Sequence, residues 1–501
     1  MDDVRIGNVF FSDYFNVSRD TIKEHGAIDI SLINDTPLFV DPFLIFESEK
    51  EEYQVLHTEI TKYLRFLQSR QFVGDKGEFD RLLHFDEVKQ TWLGFSLNGN
   101  AGLGLGRQFA DALIKNISNI IPPKDNDLGI DIHLEKLCLL GDGIGNDKVS
   151  DFTTNLIKIF LAEYTQQFAI KNIDSALLRE VPVDKAVFDY NTRRWKPKVF
   201  TLPFHSELND YVLLTPRDIL TKSDLWINNK GLYDQFIELP DRISNEQLRD
   251  EINEYISSLM PNSEEEPSKE DLQQLYSKVM KKYPILIDAY IKSREDDGYL
   301  VFEHSLDEVA FVEDIYSDNA KHAIGVLNQD TLFYTFGDFN NSYDEAMSKI
   351  DILKDNIENN DLYRMFYDKD GKRVQGENGL QRLYKLIWSA SKSKFDVNPE
   401  TNHGRGPVDF AVSYGSNDKT IVEFKIASNT KLESNLSKQL DVYAAADISS
   451  KKPHKICVIT CFSDNDFGRA RDILDRLELD TTSNIILIDA RNDNKPSGSN
   501  A

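Results

Sequence analysis

Over residues 366–490 the spacing of apolar residues switches between helical and strand period in a fixed order, and that order constrains the fold most. Leu380, Leu383, Tyr384, Ile387 and Trp388 recur at helical spacing, predicting a helix from Glu377 to Ser391. Strands are predicted near Lys394–Asn398, Val408–Tyr414 and Thr420–Ala427. A helix from Lys431 to Ala446 follows, opened by the capping-box pattern Thr430-x-x-Glu433. Strand Lys455–Cys461, helix Phe467–Leu477 and strand Ile485–Asp489 complete the series. The order α-β-β-β-α-β, with one further helix and strand, specifies a mixed α/β sheet covered by helices.

One strand carries chemistry. In Thr420-Ile-Val-Glu-Phe-Lys-Ile426 the period of two puts Glu423 and Lys425 on one face. Val422, Phe424 and Ile426 point the other way. A carboxylate can hold a hard cation such as Mg2+ through oxygen. A neighbouring lysine can orient an attacking water or stabilise charge on a phosphate. Alone, such a pair is an ordinary solvated strand face. Asp409 opens the preceding strand after the sharp Gly406-Pro407 turn, and Glu377 begins the first helix. Gln439 and Tyr443 stand four apart on the later helix and share a face.

The series Glu377 … Pro407-Val-Asp409 … Glu423-Phe-Lys425 … Gln439-Leu-Asp-Val-Tyr443 resembles the PD-(D/E)XK nuclease superfamily, with its restriction-endonuclease-like fold. The Gln-x-x-x-Tyr pattern is similar to the branch holding RecB-type nucleases. The resemblance implies a metal-dependent deoxyribonuclease that hydrolyses phosphodiester bonds with Mg2+, for which Mn2+ can substitute. It implies that Asp409 and Glu423 bind the metal with help from Glu377. Lys425 would support the nucleophile and transition state, while Gln439 and Tyr443 orient the site or the DNA. The valine between Pro407 and Asp409 departs from a strict motif. Arg405, and less so His403, lie in the loop before Asp409, where a phosphate contact is natural.

The site also constrains register. Asp409 and Glu423 must face one side of the sheet to share a cation. A regular four-residue turn at Gly415–Asp418 would place them on opposite faces. An odd-length connection or a bulge is therefore predicted between Phe410 and Ile421, bringing the carboxylates within about 6 Å of each other.

The remainder reads as a mixed α+β regulatory or targeting region (1–240), a charged, largely helical connecting region (241–365) and a disordered tail (491–501). Ala27–Phe46 looks strand-like, Glu51–Gln68 and Arg107–Ile121 look helical, and Lys198–Pro203 and Tyr211–Leu214 look like strands. Pro261–Pro267 reads as an exposed linker. The run Gly99–Gly106 lacks both a Walker A signature and a Rossmann third glycine, so it reads as a loop. Near Gly141–Gly145, Asp147 or Ser150 is expected to cap a helix. Arg193-Arg194-Trp195-Lys196 is the basic, aromatic spot that could contact nucleic acid.

Net charge is −26, yet Gly371–Ala490 holds 17 Lys/Arg against 16 Asp/Glu, so the acid lies elsewhere. An acidic N-terminal part is a poor DNA grip and suits restraint of a nuclease. The three cysteines suggest no disulfide framework, and no leader or membrane span is evident, so a cytoplasmic protein is expected. No ATPase motif is visible, so energy-dependent gating would need a separate ATPase or sensor subunit. Cutting both strands of a duplex favours a homo-oligomer. The layout is analogous to that of endonuclease effectors in bacterial antiviral defence. The competing expectation is a catalytically silent nucleic-acid-binding or scaffold protein that keeps the fold.

Overall fold

The computed structural model describes the chain except residues 1–9, 33–34, 71–80, 95–103, 122–128, 141–143, 207, 223, 260–268, 314–338, 360–361, 368–370, 374–375, 391–392, 403–406, 415–417, 438–452, 480–483 and 496–501. Its C-terminal unit opens with helices α1 (Ser342–Asn359) and α2 (Glu377–Ala390). Strands β1 (Asp396–Asn402), β2 (Pro407–Tyr414) and β3 (Asp418–Ile426) follow. Then come α3 (Leu432–Ser437), β4 (His454–Cys461), α4 (Asp464–Arg476) and β5 (Ile485–Asp489). The strands form one five-stranded sheet in the order β5-β4-β3-β2-β1. Pairing is antiparallel among β1, β2 and β3 and parallel from β3 to β5. The fold is thus mixed α/β.

Helices cover both faces of the sheet. On one, Leu380, Leu383, Tyr384 and Ile387 of α2 pack with Phe410, Val412, Val422, Phe424, Ile456 and Val458. On the other, Leu432, Leu436, Ala470, Ile473 and Leu474 cover Cys457, Ile459 and Ile485. Strand β3 is buried on both faces, since Ile421 and Val422, which point to opposite sides, are both buried. Helix α1 also belongs here and not to the connecting region expected over 241–365. Ala346, Ile350, Leu353 and Ile357 join the sheet's core. The Asp418 carboxylate accepts the Ser342 backbone N–H at 3.0 Å and its hydroxyl at 2.6 Å. The packed unit thus extends N-terminal of residue 366 and includes helix α1. Part of the expected tail is tied down: Arg491 binds Asp489, and Lys495 Nζ donates to the Glu358 carbonyl.

In the N-terminal region the expected strand Ala27–Phe46 shrinks to Phe39–Val40, which pairs with Leu220–Thr221. Pro42–Glu47 is helical because Asp41 caps it, accepting the Phe43 N–H at 2.9 Å, and proline at the first position is preset for a helix. The helices Glu51–Gln68 and Arg107–Ile120 stand where the apolar spacing places them. Asn146–Leu156 is helical too, but neither Asp147 nor Ser150 caps it: Gly145 does, and Ser150 Oγ accepts the Val40 N–H instead. A long hairpin, Leu178–Asp189 with Arg194–His205, packs on this core. Helices Glu246–Leu259, Lys269–Lys282 and Ile285–Asp296 form a further cluster, while the Pro261–Pro267 segment falls outside the described residues. Helix Val301–Glu313 touches all three assemblies. Val301 joins the helical cluster, Val309 and Val312 the N-terminal core, and Phe311 packs against the C-terminal core. Among the described residues no helix is long and apolar enough to cross a membrane.

The glycine-rich run ends in a structural requirement. Gly104 has φ +62°, and a Cβ there would lie 2.7 Å from the Phe85 carbonyl oxygen and 2.8 Å from the Glu87 nitrogen. Gly104→Ala should therefore cost about 1–3 kcal/mol of stability, measured by denaturant unfolding.

Candidate active site

The sheet opens where the site lies. Strands β2 and β3 pair from Tyr414↔Asp418 to Phe410↔Val422. Three residues, Gly415–Asn417, thus separate the paired ends, the odd-length connection that the site requires. Extending the ladder one step sets Asp409 opposite Glu423, on one face. The ladder ends at Phe410 and Val422, and the Phe424 N–H beyond it is taken by the Asp409 carboxylate at 2.5 Å. A backbone donor that pairing would have used instead fixes the Asp409 side chain.

Helix α2 brings the third group. Tyr384 packs edge-on against Phe410 at 5.1 Å and against Phe424 at 5.2 Å, which fixes the helix over β2 and β3. Its first residue, Glu377, then reaches the strand ends. Lys425 Nζ stands 3.5 Å from Glu377 Oε1 and 3.7 Å from Asp409 Oδ2, and donates to the Phe424 carbonyl at 2.8 Å. Glu423, 7% exposed, faces Lys455 Nζ at 3.4 Å.

Burial raises the pKa of Asp409; Lys425 and the Phe424 N–H offset this in part, while Glu423 adds to it. Glu377 is raised likewise, by burial first, against the pull of Lys425 and with a push from Asp409. For Lys425, burial opposes charge, but Asp409, Glu377 and Glu423 together outweigh it and hold the amine above its usual range. Lys425 is therefore an ammonium at neutral pH, suited to stabilising anionic charge and not to accepting a proton.

Two residues here escaped the sequence reading. Gln381, 5% exposed and one turn after Glu377, hydrogen-bonds the Asp409 carboxylate. Its i, i+4 spacing from Glu377 was the available signal. Lys455 had no such signal, because its approach to Glu423 depends on the parallel register Ile421↔Lys455.

Other expected site residues are placed apart or not described. Arg405, His403, Gln439 and Tyr443 lie outside the described residues. Arg193, Arg194 and Lys196 sit on the exposed end of the N-terminal hairpin, with Lys196 ion-paired to Asp189. Trp195 is partly buried. Its ring packs against Tyr63, Phe85 and Phe188, and its N–H donates to the Tyr63 hydroxyl at 3.1 Å.

Among the described residues, no group of three or more acidic, histidine or cysteine side chains forms a ready metal cage. The donor chemistry nonetheless fits Mg2+, which commonly takes one or two carboxylates and fills its shell with water and substrate phosphate. The carboxylates of Glu377, Asp409 and Glu423 outnumber the ammonium groups of Lys425 and Lys455, and burial, with a smaller push from the neighbouring carboxylates, raises Asp409 and Glu377, so a bound cation would relieve a cost already present.

Two family models match the chain, each described as a domain of unknown function: DUF8370 over residues 16–228 and DUF8371 over residues 342–464. The second begins at the first residue of α1 and spans Glu377, Asp409, Glu423, Lys425 and Lys455. No curated protein and no solved structure matches.

Proposed function

We propose that the C-terminal unit is a divalent-metal-dependent deoxyribonuclease of the PD-(D/E)XK type. The observation that supports this most is the convergence of Glu377, Asp409 and Lys425 from three separate elements, with Asp409 in register with Glu423. A carboxylate pair and a charged lysine at a splayed strand edge is an arrangement suited to phosphodiester hydrolysis.

Asp409 and Glu423 would hold Mg2+, with Glu377 behind them; the ion supplies Lewis-acid stabilisation and a more acidic bound water. Lys425, held by the Phe424 carbonyl, directs its remaining N–H donors to a non-bridging phosphate oxygen as charge builds there. Gln381 fixes the Asp409 carboxylate. In the reaction the water oxygen would bond to phosphorus as it loses a proton to solvent, the P–O bond to the leaving sugar oxygen would break, and that oxygen would take a proton back from solvent. The acid-rich remainder restrains or targets this activity. Helix Val301–Glu313 supports that reading, because it contributes to the N-terminal core and the helical cluster and packs against one of the two cores of the C-terminal sheet. A role as a bacterial defence effector, acting as an oligomer or with a sensor subunit, is part of the same proposal.

The test is cleavage of supercoiled plasmid by the full chain. Mg2+ or Mn2+ should give nicked or linear DNA, EDTA should abolish it, and Asp409→Ala should lose both cleavage and metal-induced stabilisation. Full activity in Asp409→Ala would refute the site. Failure of the wild type with either metal on DNA would favour a silent scaffold.

A further inference from the structure

We propose that a second cleft, in the N-terminal two-thirds of the chain, binds a mononucleotide: a planar heterocycle carrying phosphate. The cleft has a volume of about 580 Å3, within the range of small-ligand pockets. It lies among the helices Lys136–Leu140, Asn229–Gln235 and Lys269–Lys282 and shares no residue with the C-terminal sheet. The inference therefore stands apart from the nuclease reading.

Three features define the ligand. The first is a cation in the floor. Lys136, its side chain 7% exposed, is ion-paired to Asp288. An ammonium has three donors, so the pair leaves donors for an anion, in a setting where charge interactions are stronger than in water. Lys281 adds a second positive charge in the lining, so the two lysines outnumber the one aspartate.

The second is an aromatic wall. Tyr276 stacks on Tyr233 with centroids 5.3 Å apart and planes 20° apart, and leans on Phe236 at 4.2 Å. Such a braced ring is a stacking platform, and stacking tolerates any base because every base has a flat face. The third is unspent polarity. Among the described residues, none hydrogen-bonds the side chains of Tyr233, Tyr276 or Asn119, all of which line the cleft. A base edge or a sugar hydroxyl could use them.

The full chain is titrated with AMP, GMP, CMP and UMP, and separately with inorganic phosphate, by thermal shift and by isothermal titration calorimetry. At least one mononucleotide should give a saturable heat and a concentration-dependent rise in Tm, with phosphate alone much weaker. Lys281→Glu, at an exposed position, should leave the ligand-free Tm unchanged and weaken binding about tenfold. Tyr276→Leu should weaken nucleotide binding without changing any response to phosphate. The proposal is overturned if no mononucleotide gives a saturable heat up to about 5 mM, or if phosphate alone accounts for the whole effect. It is equally overturned if binding survives Lys281→Glu undiminished, which places the ligand elsewhere.

Discussion

Lys425→Met should lower the rate of plasmid cleavage at saturating Mg2+ by about 10²–10³-fold, the range for deleting one preorganised donor to a developing anion. Its effect on metal affinity should run the other way. The ammonium stands 3.7 Å from Asp409 and 3.5 Å from Glu377, where it competes with any cation for those carboxylates. Removing it leaves more uncompensated negative charge, so Mg2+ should bind more tightly, seen as a larger metal-induced rise in Tm. The metal-free variant should be less stable, because breaking a mostly buried pair strands its partners. Weaker metal binding in Lys425→Met would show that the lysine supports the metal site instead of competing with it. Unchanged cleavage would remove Lys425 from the chemistry altogether.

That mutant separates what could be read from the sequence from what could not. The alternation at Thr420–Ile426 puts Glu423 and Lys425 on one face without any tertiary information, because the strand period is two. The demand that Asp409 share that face gave an odd-length connection, and the structure has one. Contacts that depend on registers set elsewhere were not legible. Lys455 meets Glu423 only through the parallel pairing of β3 with β4, which a long crossover does not specify. Helix α1 shows an amphipathic pattern that says it must pack, but not on which sheet. Trp195 looked like a stacking residue because it sits among arginines and lysines. The rings it packs against, Tyr63 and Phe85, lie more than a hundred positions away in sequence. The error at Ala27–Phe46 was of another kind. Asp41-Pro42 is a local cap-and-first-turn signal for a helix, and it prevails over the strand-like run of apolar residues around it.

Asp409→Asn should abolish cleavage and yet make the metal-free protein more stable at neutral pH. Burial raises the Asp409 pKa above the ordinary 3.8, and the attraction of Lys425 and the Phe424 N–H offsets only part of that rise. A carboxyl with a raised folded-state pKa binds its proton more tightly when folded than when unfolded. Its contribution to stability is fully present below the unfolded pKa and is lost as pH rises through the folded one. At neutral pH the folded protein therefore carries Asp409 ionised at a net cost. Asparagine has nearly the same shape, can still accept the Phe424 N–H, and cannot ionise. Its Tm should exceed that of the wild type at neutral pH, and the gap should close as pH falls toward 3.8. Added Mg2+ should reverse the order, because only the wild type gains binding energy from the ion. The measurement is a set of melting curves across pH, with Mg2+ and with EDTA. A variant less stable than the wild type in EDTA at neutral pH would mean that the Lys425 pairing outweighs burial at Asp409. The site would then be a structural ion pair, and not a carboxylate held at a cost in readiness for a metal.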